Sequence, residues 1–161
     1  MNLVKGTAQT NGGIMDITMK DLQSEEEIRE VYPLMNQLRP HLDEEEYVSL
    51  VLEAQAKEGY RLRGLFEEGR LCALIGFQPM ITLYYGRFVW VSDLVTDVSR
   101  RSEGFGAYLL RDVETWAHDH AFTSVALSSG LEKTEAHRFY EEKAGYSRAS
   151  FVFRKTDLKE E

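Results

Sequence analysis

Apolar and polar positions along the chain change period several times, and each change marks an element. Asp16-Ile17-Thr18-Met19 alternates and predicts a short first strand. Ser24 with Glu27 three residues on is a capping box, and Ile28, Val31, Tyr32, Met35 and Leu38 then fall on one helical stripe. Pro33 lies inside that stripe and predicts a kink or a break. Asp43 with Glu46 repeats the capping pattern. Tyr47, Leu50, Val51 and Ala54 follow at helical spacing, and Gly59 suits the stop.

The period then drops to two. Tyr60, Leu62, Gly64 and Phe66 alternate with polar residues, Glu67-Glu68-Gly69-Arg70 is hairpin-turn chemistry, and residues 71–77 start the return strand. A turn near Tyr85-Gly86-Arg87 leads into a strand over residues 88–95, completing a three-stranded antiparallel meander. Beyond it, Phe105, Tyr108, Leu109, Val113 and Trp116 form a helical stripe, residues 124–128 a strand, Ala136, Phe139, Tyr140 and Ala144 another helix, and residues 151–155 a final strand. Strands and helices in this order predict a mixed α+β layer fold. Residues 1–13 are polar and rich in Gly, Thr and Asn, and read as a loose tail. Residues 14–161 read as one domain without repeats or linkers.

Composition narrows the function. The net charge is −8 with no basic stripe, which disfavours nucleic-acid binding. No apolar run reaches membrane-spanning length, and the N-terminus lacks a charged-then-apolar signal pattern, so a cytoplasmic protein is expected. The single Cys72 allows no intrachain disulfide, and its apolar neighbours suggest a buried structural thiol. The acidic runs at 25–27, 43–46 and 141–142 have two readings: helix capping and solvation, or a rim that attracts a cationic amine. No pair among the four histidines has metal-ligand context, and no metal is expected.

The chemistry concentrates at Arg101-Ser102-Glu103-Gly104-Phe105-Gly106-Ala107, between the strand over 88–95 and a helix. Glycines let a backbone approach a ligand closely, and unpaired amides at a helix start point at an anion. A dinucleotide fingerprint is excluded because Leu109 stands where its third glycine belongs. A P-loop is excluded because Gly106 is followed by Ala107-Tyr108.

The remaining Arg-x-x-Gly-x-Gly resembles the acetyl-CoA pyrophosphate loop of the GNAT N-acetyltransferase superfamily. Ala136-His137-Arg138-Phe139-Tyr140-Glu141-Glu142-Lys143-Ala144-Gly145-Tyr146 resembles that family's late helix, in the right order and at the right separation. The resemblance covers about residues 14–155. It implies a central mixed, mostly antiparallel sheet, splayed between its fourth and fifth strands and flanked by about four helices. It also implies acetyl transfer from acetyl-CoA to a primary amine of a small molecule or peptide.

Carried over by position, main-chain groups of Leu94, Val95 and Thr96 would pair with pantetheine. Arg101, Ser102, Glu103, Gly104, Phe105, Gly106 and Ala107 would wrap the pyrophosphate. Glu103 departs from the family's usual basic or amide residue, and a carboxylate there is unfavourable unless it points to solvent. Lys133 stands where many relatives have an Asn facing the cofactor. Tyr140 matches the tyrosine placed near the CoA sulfur, and its phenol, with a reference pKa of about 10, can protonate a departing thiolate. Asp93 is the candidate base, with a salt-bridged strand carboxylate as the alternative. Residues 38–42 fall on the acceptor side. Family habit implies a homodimer. A non-catalytic acyl-CoA-binding or sensing domain stays open as the other reading.

Overall fold

The computed structural model describes residues 3–10 and 13–158. The chain divides into two compact units, Met1–Leu127 and Ser128–Glu161. In the first unit a six-stranded sheet runs in sequence order, β1 (Leu3–Thr10), β2 (Gly13–Asp21), β3 (Arg61–Glu67), β4 (Arg70–Thr82), β5 (Gly86–Thr96) and β6 (Ser124–Leu127). Neighbours are antiparallel except β5 and β6, which are parallel. That matches the expected sheet.

Residues 3–10, expected as a loose tail, instead form β1 and pair in continuous register with β2, from Leu3↔Lys20 to Thr10↔Gly13. Polarity misled the reading here: a strand at the edge of a sheet needs a partner more than it needs an apolar sequence.

The first helix breaks where Pro33 predicts. Ser24 and Glu27 close the capping box on α1 (Glu25–Glu30), and the chain restarts as α2 (Tyr32–Leu38) with Pro33 in its first turn, where its missing N–H is harmless. Asp43 caps α3 (Glu44–Glu58), which ends on left-handed Gly59. The turn into β4 uses left-handed Glu68 and Gly69, the hairpin geometry expected of that sequence. Ile28, Val31, Leu34, Met35, Tyr47, Val48 and Val51 bury against Leu62, Leu74 and Val95 of the sheet.

A fourth helix, α4 (Phe105–Asp119), contributes Phe105, Leu109, Leu110, Val113 and Ala117 to the core. Its docking is partly ionic. Buried Arg63 of β3 donates to Asp21 (2.7 Å) and to Asp112 of α4 (2.5 Å), while Trp116 meets Phe77 edge-on at 5.3 Å. Burial pushes the Asp112 carboxyl up, and Arg63 pulls it back down. Cys72 is fully buried, as expected, and burial raises its thiol pKa against the opposing pull of Arg100.

The second unit contains α5 (Thr134–Arg138), which widens into a π turn over Phe139–Lys143 and stops at left-handed Gly145. The final strand expected over 151–155 does not form. Phe151, Val152 and Phe153 are 71–93 % exposed and pair with no strand among the described residues. Alternation alone does not make a strand when no edge receives it.

Candidate functional site

β5 changes partners half-way along. Its first half pairs with β6 from Phe88↔Ser124 to Val91↔Leu127, and there the parallel ladder ends. The antiparallel ladder to β4 continues through Asp93, Leu94, Val95 and Thr96, but skips a residue: Phe77 faces Val91 and Gly76 faces Asp93. Ser92 is therefore the extra residue of a β-bulge, which bends the strand as β6 leaves it. Leu94, Val95 and Thr96 keep their bonds to β4, and among the described residues no strand takes up their other edge. The sheet is splayed at that point, and the free main-chain groups can pair with an extended ligand.

Directly at the bulge, Asp93 is held from two sides. Arg39 Nε donates to Asp93 Oδ1 at 3.1 Å, and the Tyr60 hydroxyl donates to Oδ2 at 2.8 Å. Arg39 also donates through Nη2 to the Ser92 carbonyl at 2.9 Å, so one guanidinium spans the bulged residue and its neighbour. Tyr60 is buried, and its phenol pKa is raised first by desolvation and then by the Asp93 charge. Gly76 makes the room. A Cβ at that position would lie 1.9 Å from the Tyr60 hydroxyl oxygen and 2.8 Å from Asp93 Oδ2.

The salt-bridged reading of Asp93 is thus what the side-chain contacts display. Arg39 falls in the segment 38–42 expected on the acceptor side, whereas Tyr60 and Gly76 carry no role in the sequence reading. A glycine within the apolar run Leu74-Ile75-Gly76-Phe77 was the available signal, because it marks a close approach.

After β5, Asp97 caps a single 3₁₀ turn (Val98–Arg100), and left-handed Ser102 and Gly104 carry the chain into α4. Gly104 is the N-cap residue and supplies no side-chain cap, so no capping side chain covers the first amides of α4. Nothing lies within 4 Å of where a Gly104 Cβ would stand, so the loop is open at that point. Arg101 is exposed and makes no ion pair among the described residues.

Glu103 does not face an incoming anion unneutralised. Arg100 binds it at 2.6 Å, ion-pairs with Glu67 at the end of β3, and lies 5.2 Å over the Phe105 ring. The carboxylate is neutralised within the loop rather than by turning to solvent.

In the second unit, Lys133 is exposed at the start of α5, and His137 Nε2 lies 2.8 Å from the Gly130 carbonyl, as a helix-surface residue would. Tyr140 sits in the π turn, half-buried, and burial raises its phenol pKa. The Tyr146 amide donates to the Tyr140 carbonyl across Gly145, closing the helix end.

Residues 22–146 match the Acetyltransferase (GNAT) family. The chain belongs to that family. An N-acetyltransferase of Bacillus subtilis strain 168, YhdJ, described as uncharacterized, is 42 % identical over 139 residues, covering 86 % of this chain and 98 % of the relative. This chain is accordingly an N-acetyltransferase. Among solved structures, the aminoglycoside N-acetyltransferase AAC(6')-Iy in complex with CoA superposes with a TM-score of 0.73 at 17 % identity, covering 95 % of this chain and 97 % of that one. A ribosomal-protein-alanine N-acetyltransferase from Brucella melitensis gives 0.70 at 18 % identity, over 86 % and 99 %. At such low identity these two structures speak for the fold.

Proposed function

We propose that this acetyltransferase moves the acetyl group of acetyl-CoA directly to a primary amine of a small molecule or peptide. The observation that carries the reading is the pairing of an uncapped α4 N-terminus, reached through left-handed Ser102 and Gly104, with the unpaired edge of β5 at Leu94, Val95 and Thr96. The first suits a pyrophosphate, and the second suits the extended, amide-bearing pantetheine. Arg101 supplies a cation to the anionic part, with Glu103, Phe105, Gly106 and Ala107 completing the loop. Lys133 is assigned a further contact to CoA.

In the transfer, the amine nitrogen forms a bond to the thioester carbonyl carbon, the carbon–sulfur bond breaks, and the nitrogen gives its proton to a base. Tyr140 is assigned as donor of the proton that the departing sulfur takes. Burial raises its phenol pKa, so the phenol carries its proton at neutral pH. Asp93 is assigned as that base, the carboxylate that meets the amine beside the acyl-binding edge and takes its proton.

The test combines acetyl-CoA with a panel of amines and detects free CoA. Turnover with primary amines is expected, and none with any amine would reject the reading. Calorimetry on Gly106→Val checks the loop assignment independently. A side chain at Gly106 should obstruct the amides and weaken acetyl-CoA binding, and an unchanged affinity would show the loop is not the site.

A further inference from the structure

We propose that Arg39 occupies, in the free enzyme, the seat on Asp93 that the acceptor's ammonium takes during turnover, so that acceptor binding exchanges one cation for another. The inference rests on the amine-acetyltransferase reading above and assigns the acceptor class more closely: a primary amine, bound as its ammonium.

Two acceptor atoms converge at the bulge, Asp93 Oδ1 and the Ser92 carbonyl, and one Arg39 guanidinium satisfies both, at 3.1 and 2.9 Å. A primary ammonium has three N–H donors on one compact centre. It can satisfy the same two oxygens and keep a third proton directed elsewhere. The position adjoins the unpaired β5 edge that begins at Leu94, so an amine seated there lies beside the groove assigned to the acyl chain.

Asp93's two partners differ in how readily they can leave. Tyr60 is 8 % exposed, and its hydroxyl is packed against Gly76, so its bond to Oδ2 is fixed by the core. Arg39 is the replaceable partner. Its side chain is 37 % exposed, and it stands one residue past α2, followed by exposed Pro40 and His41. A partly exposed ion pair contributes only about 1 kcal/mol, which a bound ligand can replace. The Tyr60 bond keeps the carboxylate aimed while its cation changes.

The exchange fixes the sign of a mutation. If Arg39 competes with the acceptor, Arg39→Ala lowers the KM for amine, by about fivefold for a competitor worth about 1 kcal/mol, and leaves the KM for acetyl-CoA alone. If Arg39 only braces the bulge, the same change raises the amine KM. Steady-state rates are measured with 1,4-diaminobutane and tyramine as acceptors, with thermal midpoints to confirm folding. Methylguanidinium separates the two cases further. Added to Arg39→Ala, it should refill the seat and inhibit competitively against the amine, whereas a bracing role predicts that it restores activity.

Asp93→Asn should raise the amine KM and abolish the gain from Arg39→Ala. Acetylation of these amines with an amine KM unchanged or raised in Arg39→Ala, or activation by methylguanidinium, overturns the exchange alone. Failure to acetylate any amine overturns the amine reading and the exchange with it.

Discussion

Gly76→Ala adds one methyl group against the Tyr60 hydroxyl and Asp93. Its Cβ would stand 1.9 Å from the Tyr60 hydroxyl oxygen, 2.6 Å from Tyr60 Cζ and 2.8 Å from Asp93 Oδ2. Real carbon atoms do not approach so closely, so Tyr60 must move. Its ring belongs to the same buried cluster as Val48, Val51, Leu62 and Leu74, so displacing it disturbs the core. Overpacking of this kind costs about 1–3 kcal/mol. Displacing the ring also breaks the hydrogen bond to a charged carboxylate, for about 1.5–3 kcal/mol more. Alanine recovers about 0.5–1 kcal/mol through its better strand entropy. The net expectation is a loss of about 1.5–5.5 kcal/mol, or a fall in Tm of roughly 3–22 °C for a chain of this size. Urea unfolding should show a lower midpoint with an unchanged slope. In a Tyr60→Phe background the worst overlap is gone, so the same substitution should cost at least about 1 kcal/mol less. A Gly76→Ala protein within about 0.5 kcal/mol of the parent would refute the packing argument, because it would mean that Tyr60 is not held in place.

Tyr140→Phe should lower kcat while acetyl-CoA affinity stays nearly intact. A lost general acid costs about 10²–10⁴-fold, and a thiolate leaves readily enough to put the effect at the low end. Free-CoA release rates check this, and an unchanged kcat with chemistry rate-limiting would remove Tyr140 from the reaction. Glu27 is held at a pKa of about 2, first by Lys20 at 2.6 Å and then by the Ser24 cap, against an ordinary 4.5. A depressed carboxyl stabilises the fold above its unfolded value and loses that contribution as pH falls through 4.5 towards 2. Glu27→Gln should therefore flatten the decline in stability over that window, read from urea midpoints at several pH values. A parallel decline in both proteins would show that Glu27 does not drive it.

Local chemistry was the legible part of this chain. Ser24, Pro33, Asp43, Gly59 and the Glu68-Gly69 turn act within a few residues, so the sequence carries their geometry almost complete. The Gly loop and Tyr140 were legible as motifs of a family. What escaped depends on partners distant in sequence. β1 exists through its pairing with β2, and residues 151–155 lack any such pairing. The bulge at Ser92 is invisible without the β4 register, and so is everything it organises. Arg39 and Asp93 are 54 residues apart, and Tyr60 and Asp93 are 33 apart. No periodicity within one element could have joined them. Glu103 illustrates the same limit: its oddity was plain, but its partner Arg100 and that residue's second tie to Glu67 appear only in three dimensions.

That second tie shapes when the loop's order is acquired. Arg100 fastens the segment before α4 both to Glu103 within the loop and to Glu67 at the end of β3, while its guanidinium lies over Phe105 in the core. The loop is thereby moored to the sheet before any ligand arrives, and the entropy lost in ordering it is incurred on folding. An anion reaching the α4 amides meets donors already aligned, and little of its binding free energy is diverted into organising them. The mooring also consumes the loop's own charges against one another. Among the described residues Arg101 is the loop cation left without an ion pair, so attraction of an anion there would rest on it and on oriented peptide groups acting at short range.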